Sequence, residues 1–306
     1  MVRFSVLIAV YNRREYIKQA IDSVLSQTFT NYELIVVDDG STDGTTEVLK
    51  SYGARIHVIQ QQNRGPEVAR NTGAVVAKGE YIALLDSEDF FFPSALATYD
   101  RVIRAFDSPP LIVASQLYYR NAEPIPAQPQ STGPIEVLKC KDYLAKPVPL
   151  GWISSLHVVQ KSAYVQIGGF RNSAAHTWRG ETCDYILKLG TRGPCIIIRK
   201  PHTVAHRLHE ANSVWSLEQH AEGMLGVARS ERQGIYPGGL KRRWERYALI
   251  GGRCSTHAAN NCWRGGQRKL ALRLLRGTAP MVFVAVSKKL LSHLRKPPQP
   301  IVLPEQ

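Results

Sequence analysis

Residues 4–40 read FSVLIAVYNRREYIKQAIDSVLSQTFTNYELIVVDDG, and within them the hydrophobic period changes twice. Phe4 to Val10 is almost continuously apolar, which suits a strand covered on both faces. Ile17, Ile21, Val24 and Leu25 then recur at helical spacing, with Glu15 and Lys18 on the other faces. Tyr32 to Val37 is a second apolar run and stops at Asp38-Asp39-Gly40. A buried strand, a helix and a buried strand in that order point to a parallel α/β sheet.

The alternation continues downstream. Ser41-Thr42-Asp43 is cap chemistry for a helix through Lys50, and Arg55 to Ile59 reads as a third strand. Pro66 opens a helix to about Ala77, and Gly79 stops it. Tyr81 to Leu85 is a fourth strand, ending in Asp86-Ser87-Glu88-Asp89. The expected fold class is α/β, a doubly wound, mostly parallel sheet flanked by helices, with a helical, basic C-terminal extension. Ligands of such sheets sit beyond the carboxyl ends of the strands. There the sequence places Tyr11-Asn12, Asp38-Asp39 and the acidic run 86–89. Carboxylates repel when crowded, so Asp39, Asp86 and Glu88 point to a bound cation or ligand. Ser41 and Asp43 read as caps, and Asp89 reads equally as cap or as site residue.

Past residue 108 the pattern loosens. Leu111–Leu117 and Trp152–Val159 read as strands, Glu123–Pro134 as a surface loop, Ser162–Ile167 as a short helix ended by Gly168-Gly169. Glu181–Leu189 reads as helix, Cys195–Arg199 as strand, and the chain from Ser213 as helical. The expected organisation is a first half over 1–110, a second half of the same domain over 111–235, and the extension over 236–306. Trp152, Trp178 and Trp215 are candidate stacking platforms for a ligand, though core packing fits each of them better.

Composition excludes several classes. Of 306 residues, 44% are hydrophobic and 21% charged, an ordinary globular balance. Five scattered cysteines without a CxxC pair argue against a disulfide framework or zinc knuckle, and the expectation is a reducing cytoplasm. No signal peptide is expected, nor any stretch approaching the ~20 apolar residues of a membrane span. The net charge is +14, and residues 239–306 alone hold 14 Lys+Arg against 2 Asp+Glu. There Val282, Phe283, Val286, Leu290 and Leu294 form an approximate apolar face beside Lys288, Lys289, Arg295 and Lys296. It fits a helix packed back on the protein, and it also fits peripheral contact with an anionic membrane, such as its inner face. Nucleic acid is not an expected partner, because the aromatic-basic interleaving of single-strand binders is missing.

At this point the motifs resemble those of the family 2 glycosyltransferases of GT-A fold. FSVLIAVYNRREYIKQAIDSVLSQTF, YELIVVDDGSTDGT and QQNRGPEVARNTGAVVAKGEYIALLDSED follow one another in the family's order, across residues 4–90. More loosely, IGGF, RGETCDYILKLGTRG and PHTVAHRLH are similar to its acceptor-side elements. The resemblance implies a metal-dependent, inverting transferase using a nucleotide-sugar, a UDP-sugar first, with Mg²⁺ or Mn²⁺ as cofactor. It implies a glycan or lipid-linked acceptor, and cell-surface polysaccharide biosynthesis. Tyr11 would border the base and Asp39 accept its N3–H. Arg70 and Arg207 would meet the diphosphate, and Asp86 the ribose or a metal-bound water. Glu88 would be the metal ligand where the family usually has Asp, and His209 a further ligand or phosphate contact.

The base position departs from the family. Glu181-Thr182 stands where inverting members commonly present Glu-Asp. A threonine hydroxyl is no base at neutral pH, which leaves Glu181 or Asp184 as the candidates. Other readings stay open: an acceptor needing little base help, a binder that has lost turnover, or a nucleotidyltransferase with the same sheet and metal logic.

Overall fold

The structure is a computed structural model and describes residues 1–120, 134–145, 154–172, 180–208, 216–292 and 299–304. His209, Trp152, Trp178 and Trp215 lie outside the described residues, as does most of the loop expected at Glu123–Pro134.

The first half follows the expected alternation. Strand β1 (Phe4–Val10), helix α1 (Arg14–Leu25), β2 (Tyr32–Asp38), α2 (Thr45–Lys50), β3 (His57–Gln60), α3 (Pro66–Val76) and β4 (Tyr81–Asp86) succeed one another. The four strands are parallel, in the order β3-β2-β1-β4. α1 buries Ile17, Ala20, Ile21 and Val24, the face its spacing marked. α3 lies close on β1 because residue 73 is glycine: a Cβ there would come within 2.1 Å of Leu7 Cδ1. Register aligns the strand ends. Val10 pairs with Asp38, Ala9 with Asp86 and Asp38 with Gln60, so the loops that follow open on one rim.

The second half makes the sheet mixed. β5 (Phe90–Phe91), α4 (Ala95–Ala105), β6 (Leu111–Val113), β7 (Gln116–Arg120), β8 (Ile135–Cys140), β9 (His157–Gln160), α5 (Lys161–Gln166), α6 (Glu181–Leu189), β10 (Cys195–Lys200) and β11 (Val204–Leu208) follow. The large sheet runs β12-β8-β10-β6-β9-β4-β1-β2-β3, with β12 (Ile301–Leu303) antiparallel to β8 at its edge. β9 is antiparallel to both β4 and β6, so the parallel order ends at β4. The expected strand Leu111–Leu117 divides. β6 stays in the large sheet, while β7 joins β11 and β5 in a small three-stranded one.

The C-terminal helices have a core of their own. α7 (Leu217–Arg232), α8 (Arg243–Leu249), a π-helical turn (Ile250–Ser255), α9 (Thr256–Arg264) and α10 (Arg268–Ser292) bury Ala221, Met224, Val227, Ile250, Leu274 and Met281. Leu144, Cys183 and Leu187 join that core from the sheet side. α7, which precedes residue 236, is thus part of this helical unit. A capping box of Ser216 and Gln219 starts α7. Arg246, buried, holds Glu231 by two bonds of 2.6 and 3.0 Å and the carbonyls of Pro237 and Gly239, fixing the turn at 236–239.

α10 corrects one expectation. Within Arg268–Leu290, 23 residues, an 18-residue stretch has mean hydropathy 1.4, long and apolar enough by length and composition to cross a membrane. The apolar run Met281–Val286 is short by itself, but α10 continues on both sides of it and passes through Pro280. Packing holds it: a Cβ on Gly251 would lie 2.0 Å from the Met281 backbone, so the π-helical turn sits directly on α10.

Candidate functional site

The loops after β1 and β2 are bound to each other. Asn12, in the left-handed region at φ 50°, accepts from Thr42 N at 2.8 Å, and its own N–H donates to Ser41 Oγ at 3.0 Å. Ser41 therefore braces the rim and does not cap α2. Asp43 accepts from Arg14 N and Thr45 N, the first residues of α1 and α2, and burial notwithstanding, these bonds and that of Thr45 Oγ1 hold its carboxyl below the usual range. Beside this brace Tyr11 is 45% exposed, so its ring faces the rim rather than the core.

Asp39 is buried and anchors the next loop. Its Oδ1 accepts from Gln61 Nε2 at 2.7 Å and Arg64 N at 2.9 Å, and its Oδ2 from Gly65 N at 2.8 Å. Gly65, at φ 96°, then opens α3 with Pro66 in the first turn. A carboxylate has about four acceptor positions, so one remains on Oδ2.

Asp86, at the end of β4, pairs with Arg70 of α3: Nη2 donates to Oδ1 at 2.8 Å. Burial opposes the Arg70 charge, but Asp86 first and Glu181 after it hold the guanidinium firmly protonated. Glu88 takes Arg13 Nε at 3.3 Å. The acidic run thus meets two arginines at once, and Arg13 is a member that the sequence reading missed.

Asp89 faces inward. It is fully buried, accepts from Ser155 Oγ at 2.6 Å and from Arg207 N at 3.1 Å, and lies 3.0 Å from His206 Nδ1. Burial pushes the Asp89 carboxyl up. Burial alone would lower His206, but the hydrogen bond and charge of Asp89 outweigh it and raise the imidazole above its ordinary value. Ser155 Oγ also accepts from Asp86 N at 3.0 Å, so one hydroxyl ties both ends of the acidic turn. Arg207 sits behind that turn. Its Nε donates to the Glu88 carbonyl at 3.0 Å, another bond goes to Gln19, and its guanidinium lies 5.0 and 4.9 Å from the Tyr16 and Tyr119 rings. These contacts make Arg207 a support of the acidic turn, not a group reaching out beyond it.

The acceptor-side elements are joined to α3 by Asn71. Its Oδ1 accepts from Phe170 N at 3.0 Å and Tyr164 Oη at 2.8 Å, and its Nδ2 donates to the Phe170 carbonyl at 2.8 Å. Gly168 and Gly169 take positive φ of 70° and 61° to make that turn. Phe170 is thereby set 5.2 Å under Arg70 and stacked on Tyr185 of α6 at 4.3 Å. Tyr185 carries α6, whose first residue is Glu181, into the field of Arg70. Arg70 is thus ion-paired with Asp86 and lies within the electrostatic influence of Glu181.

Asp184 goes elsewhere. It is 0% exposed, ion-paired to Arg171 at 2.6 Å and Lys188 at 3.2 Å, and accepts from Tyr236 Oη at 2.8 Å. The expectation that it points into the cleft does not match this geometry. One helical turn past Glu181, residue 184 faces the interior of the protein.

Asp86 and Glu88 are oxygen donors two positions apart, with Ser87 between them. Among the described residues no group of three or more His, Cys, Asp or Glu side chains is arranged to hold a metal. Two carboxylates still fit the chemistry of Mg²⁺ or Mn²⁺ when phosphate oxygens and water fill the other positions.

The family model described as glycosyl transferase family 2 matches residues 5–158. An uncharacterized glycosyltransferase of Rickettsia bellii (strain RML369-C) is 46% identical over 96 residues, 31% of this chain and 14% of that protein. The matched segments make up 14% to 34% of the first relatives' own length. Among solved structures, S. aureus TarS 1-349 in complex with UDP-GlcNAc superposes with TM-score 0.66 at 17% identity, covering 90% of this chain and 81% of TarS 1-349. The mannosyltransferase PcManGT of Pyrobaculum calidifontis, in complex with GDP-Man and Mn2+, gives TM-score 0.54 at 15% identity over 96% of this chain and 81% of its own. Those two likenesses establish the shared α/β fold. With half the chain under the family model, and the acidic turn, Arg70 and the Gly65-Pro66 entry to α3 inside the match, this chain belongs to glycosyl transferase family 2.

Proposed function

We propose that this chain moves a sugar from a nucleotide-diphosphate donor, a UDP-sugar first, to a hydroxyl of a glycan or lipid-linked acceptor, with inversion at the anomeric carbon. The observation that carries the proposal is the Arg70–Asp86 pair at the end of β4, with Glu181 within electrostatic reach of the same guanidinium. The UDP-GlcNAc held by TarS and the GDP-Man and Mn2+ held by PcManGT support a nucleotide-sugar as donor class.

In this reading the exposed Tyr11 ring offers a face to the base, and the remaining acceptor position of Asp39 meets a base N–H. Arg70 presents a planar, permanently charged fork to the diphosphate. Asp86 and Glu88 would hold Mg²⁺ or Mn²⁺, which when bound neutralises charge on the leaving group. Glu181 takes the proton of the acceptor hydroxyl as it attacks from the side opposite the nucleotide. Thr182 cannot do so, and Asp184 is committed to Arg171, Lys188 and Tyr236. Arg207, Ser155 and His206 keep the acidic turn in place from behind.

Calorimetric titration with UDP and then GDP, with and without Mn²⁺, tests the donor side. Metal-dependent binding of one nucleotide supports the reading, and Glu88→Ala should then remove the metal dependence. Binding of neither nucleotide would overturn the donor assignment. Release of nucleoside diphosphate with a sugar acceptor supports transfer, whereas release of pyrophosphate would indicate a nucleotidyltransferase.

A further inference from the structure

α10 has two unlike faces. Ala271, Leu274, Thr278 and Met281 are buried where it packs on α7, α8, α9 and the π-helical turn. On the other side Leu272, Arg276, Ala279, Phe283, Val286 and Leu290 follow at intervals of three and four, the spacing of a single helix face. All six are exposed, Phe283 by 74% and Leu290 by 68%. A lone exposed apolar side chain calls for no explanation. Four in line along about 27 Å of helix do call for one.

The charge around the stripe decides what covers it. Lys269, Arg273, Lys288 and Lys289 are exposed along α10, with Arg276 inside the stripe and Arg273 shared with Glu222 at 2.6 Å. In residues 239–306, 14 Lys+Arg stand against 2 Asp+Glu, one of which, Glu245, pairs with Arg242. A second copy laid on this face would set like charge against like charge. An anionic bilayer offers phosphates to the basic groups and acyl chains to the apolar ones. Trp263, half exposed just before α10, has the Arg268 guanidinium 5.4 Å over its ring, an amphipathic pair of the kind that settles at a headgroup layer. Spanning is a worse fit than lying flat. Arg273 and Arg276 sit within the apolar stretch, and the inner face is already packed on protein.

We infer that the outer face of α10 docks this protein on an anionic membrane surface, with Leu272, Phe283, Val286 and Leu290 dipped into the headgroup–acyl boundary and the neighbouring Lys and Arg on lipid phosphates. This rests on the C-terminal helices alone and is independent of the transfer reaction.

Vesicle flotation of the full chain tests it, using phosphatidylcholine with and without phosphatidylglycerol. The expected result is flotation with the anionic vesicles only, released at high salt. Phe283→Ser with Val286→Ser should weaken binding by about tenfold or more, with the unfolding midpoint unchanged because both side chains are exposed. Lys288→Glu with Lys289→Glu, which leaves the apolar stripe intact, should weaken it by a similar factor of about ten. Equal flotation of wild type and both variants would overturn the inference. So would equal binding to neutral vesicles, or binding that resists high salt as a spanning helix does. If the serine variant changes the oligomeric state and leaves flotation alone, the face is a contact between copies and the inference is wrong.

Discussion

Arg70, near the start of α3, and Asp86, at the end of β4, meet across 2.8 Å, and the same guanidinium lies over Phe170, so one side chain links the strand end to the acceptor-side turn. Arg70→Lys keeps the charge but loses the planar fork and the stacking. Donor affinity should fall about tenfold or more, read by titration with the nucleotide that the wild type binds. An unchanged affinity would remove Arg70 from the diphosphate.

Glu181→Gln removes the proton acceptor and keeps the shape. Turnover should drop by about 10²–10⁴ while the donor dissociation constant holds. Full turnover in this variant would return the reading to an acceptor that needs little base help.

Asp184→Ala should act on stability instead. It strips a fully buried carboxylate from Arg171, Lys188 and Tyr236. The expected loss is about 2–4 kcal/mol in urea unfolding, discounted because Arg171 and Lys188 keep partial access to water. If stability is unaffected and the pH–rate profile loses its acidic limb, Asp184 is the base after all.

Gly169 sits at φ 61°, and a Cβ there would lie 2.3 Å from Asn71 Oδ1. Gly169→Ala should therefore strain the backbone and break the Asn71 clamp at once, costing about 2–4 kcal/mol. Thermal unfolding measures that cost. Because the clamp sets Phe170 and Tyr185, turnover should fall further than the folded fraction does.

The His206–Asp89 pair gives a pH dependence of known sign. The folded imidazole titrates above its unfolded value, so its contribution to stability is complete below about pH 6.5 and is lost as pH rises through the raised value. The difference in unfolding free energy between wild type and His206→Gln should narrow on going from about pH 6 to about pH 9. A difference that widens instead would mean that His206 is held neutral.

Much of the fold is legible in local sequence. The continuous apolar runs of β1, β2 and β4 and the helical spacing of α1 follow from burial alone, so the parallel half of the sheet and the acidic rim can be read from the residues themselves. Tyr11, Asp39, Asp86 and Glu88 fall at that rim because strand register places them there. β11 escapes such a reading because His206 and Arg207 interrupt its short apolar run, and β12 because three residues at a sheet edge leave no period.

Tertiary structure decided the rest, since which atom a side chain meets depends on elements far apart in the chain. Glu181 and Asp184 are three residues apart and equivalent in sequence; packing of α6 against Phe170 and Tyr236 leaves the first within the electrostatic influence of Arg70 and buries the second. The chemistry of Asp89 is set by His206, 117 positions away, which no local pattern connects to it. The sequence alone determined which residues are apolar, charged or able to turn. Only folding could determine which charges lose their water and find each other, because desolvation and hydrogen bonding are properties of the assembled surroundings.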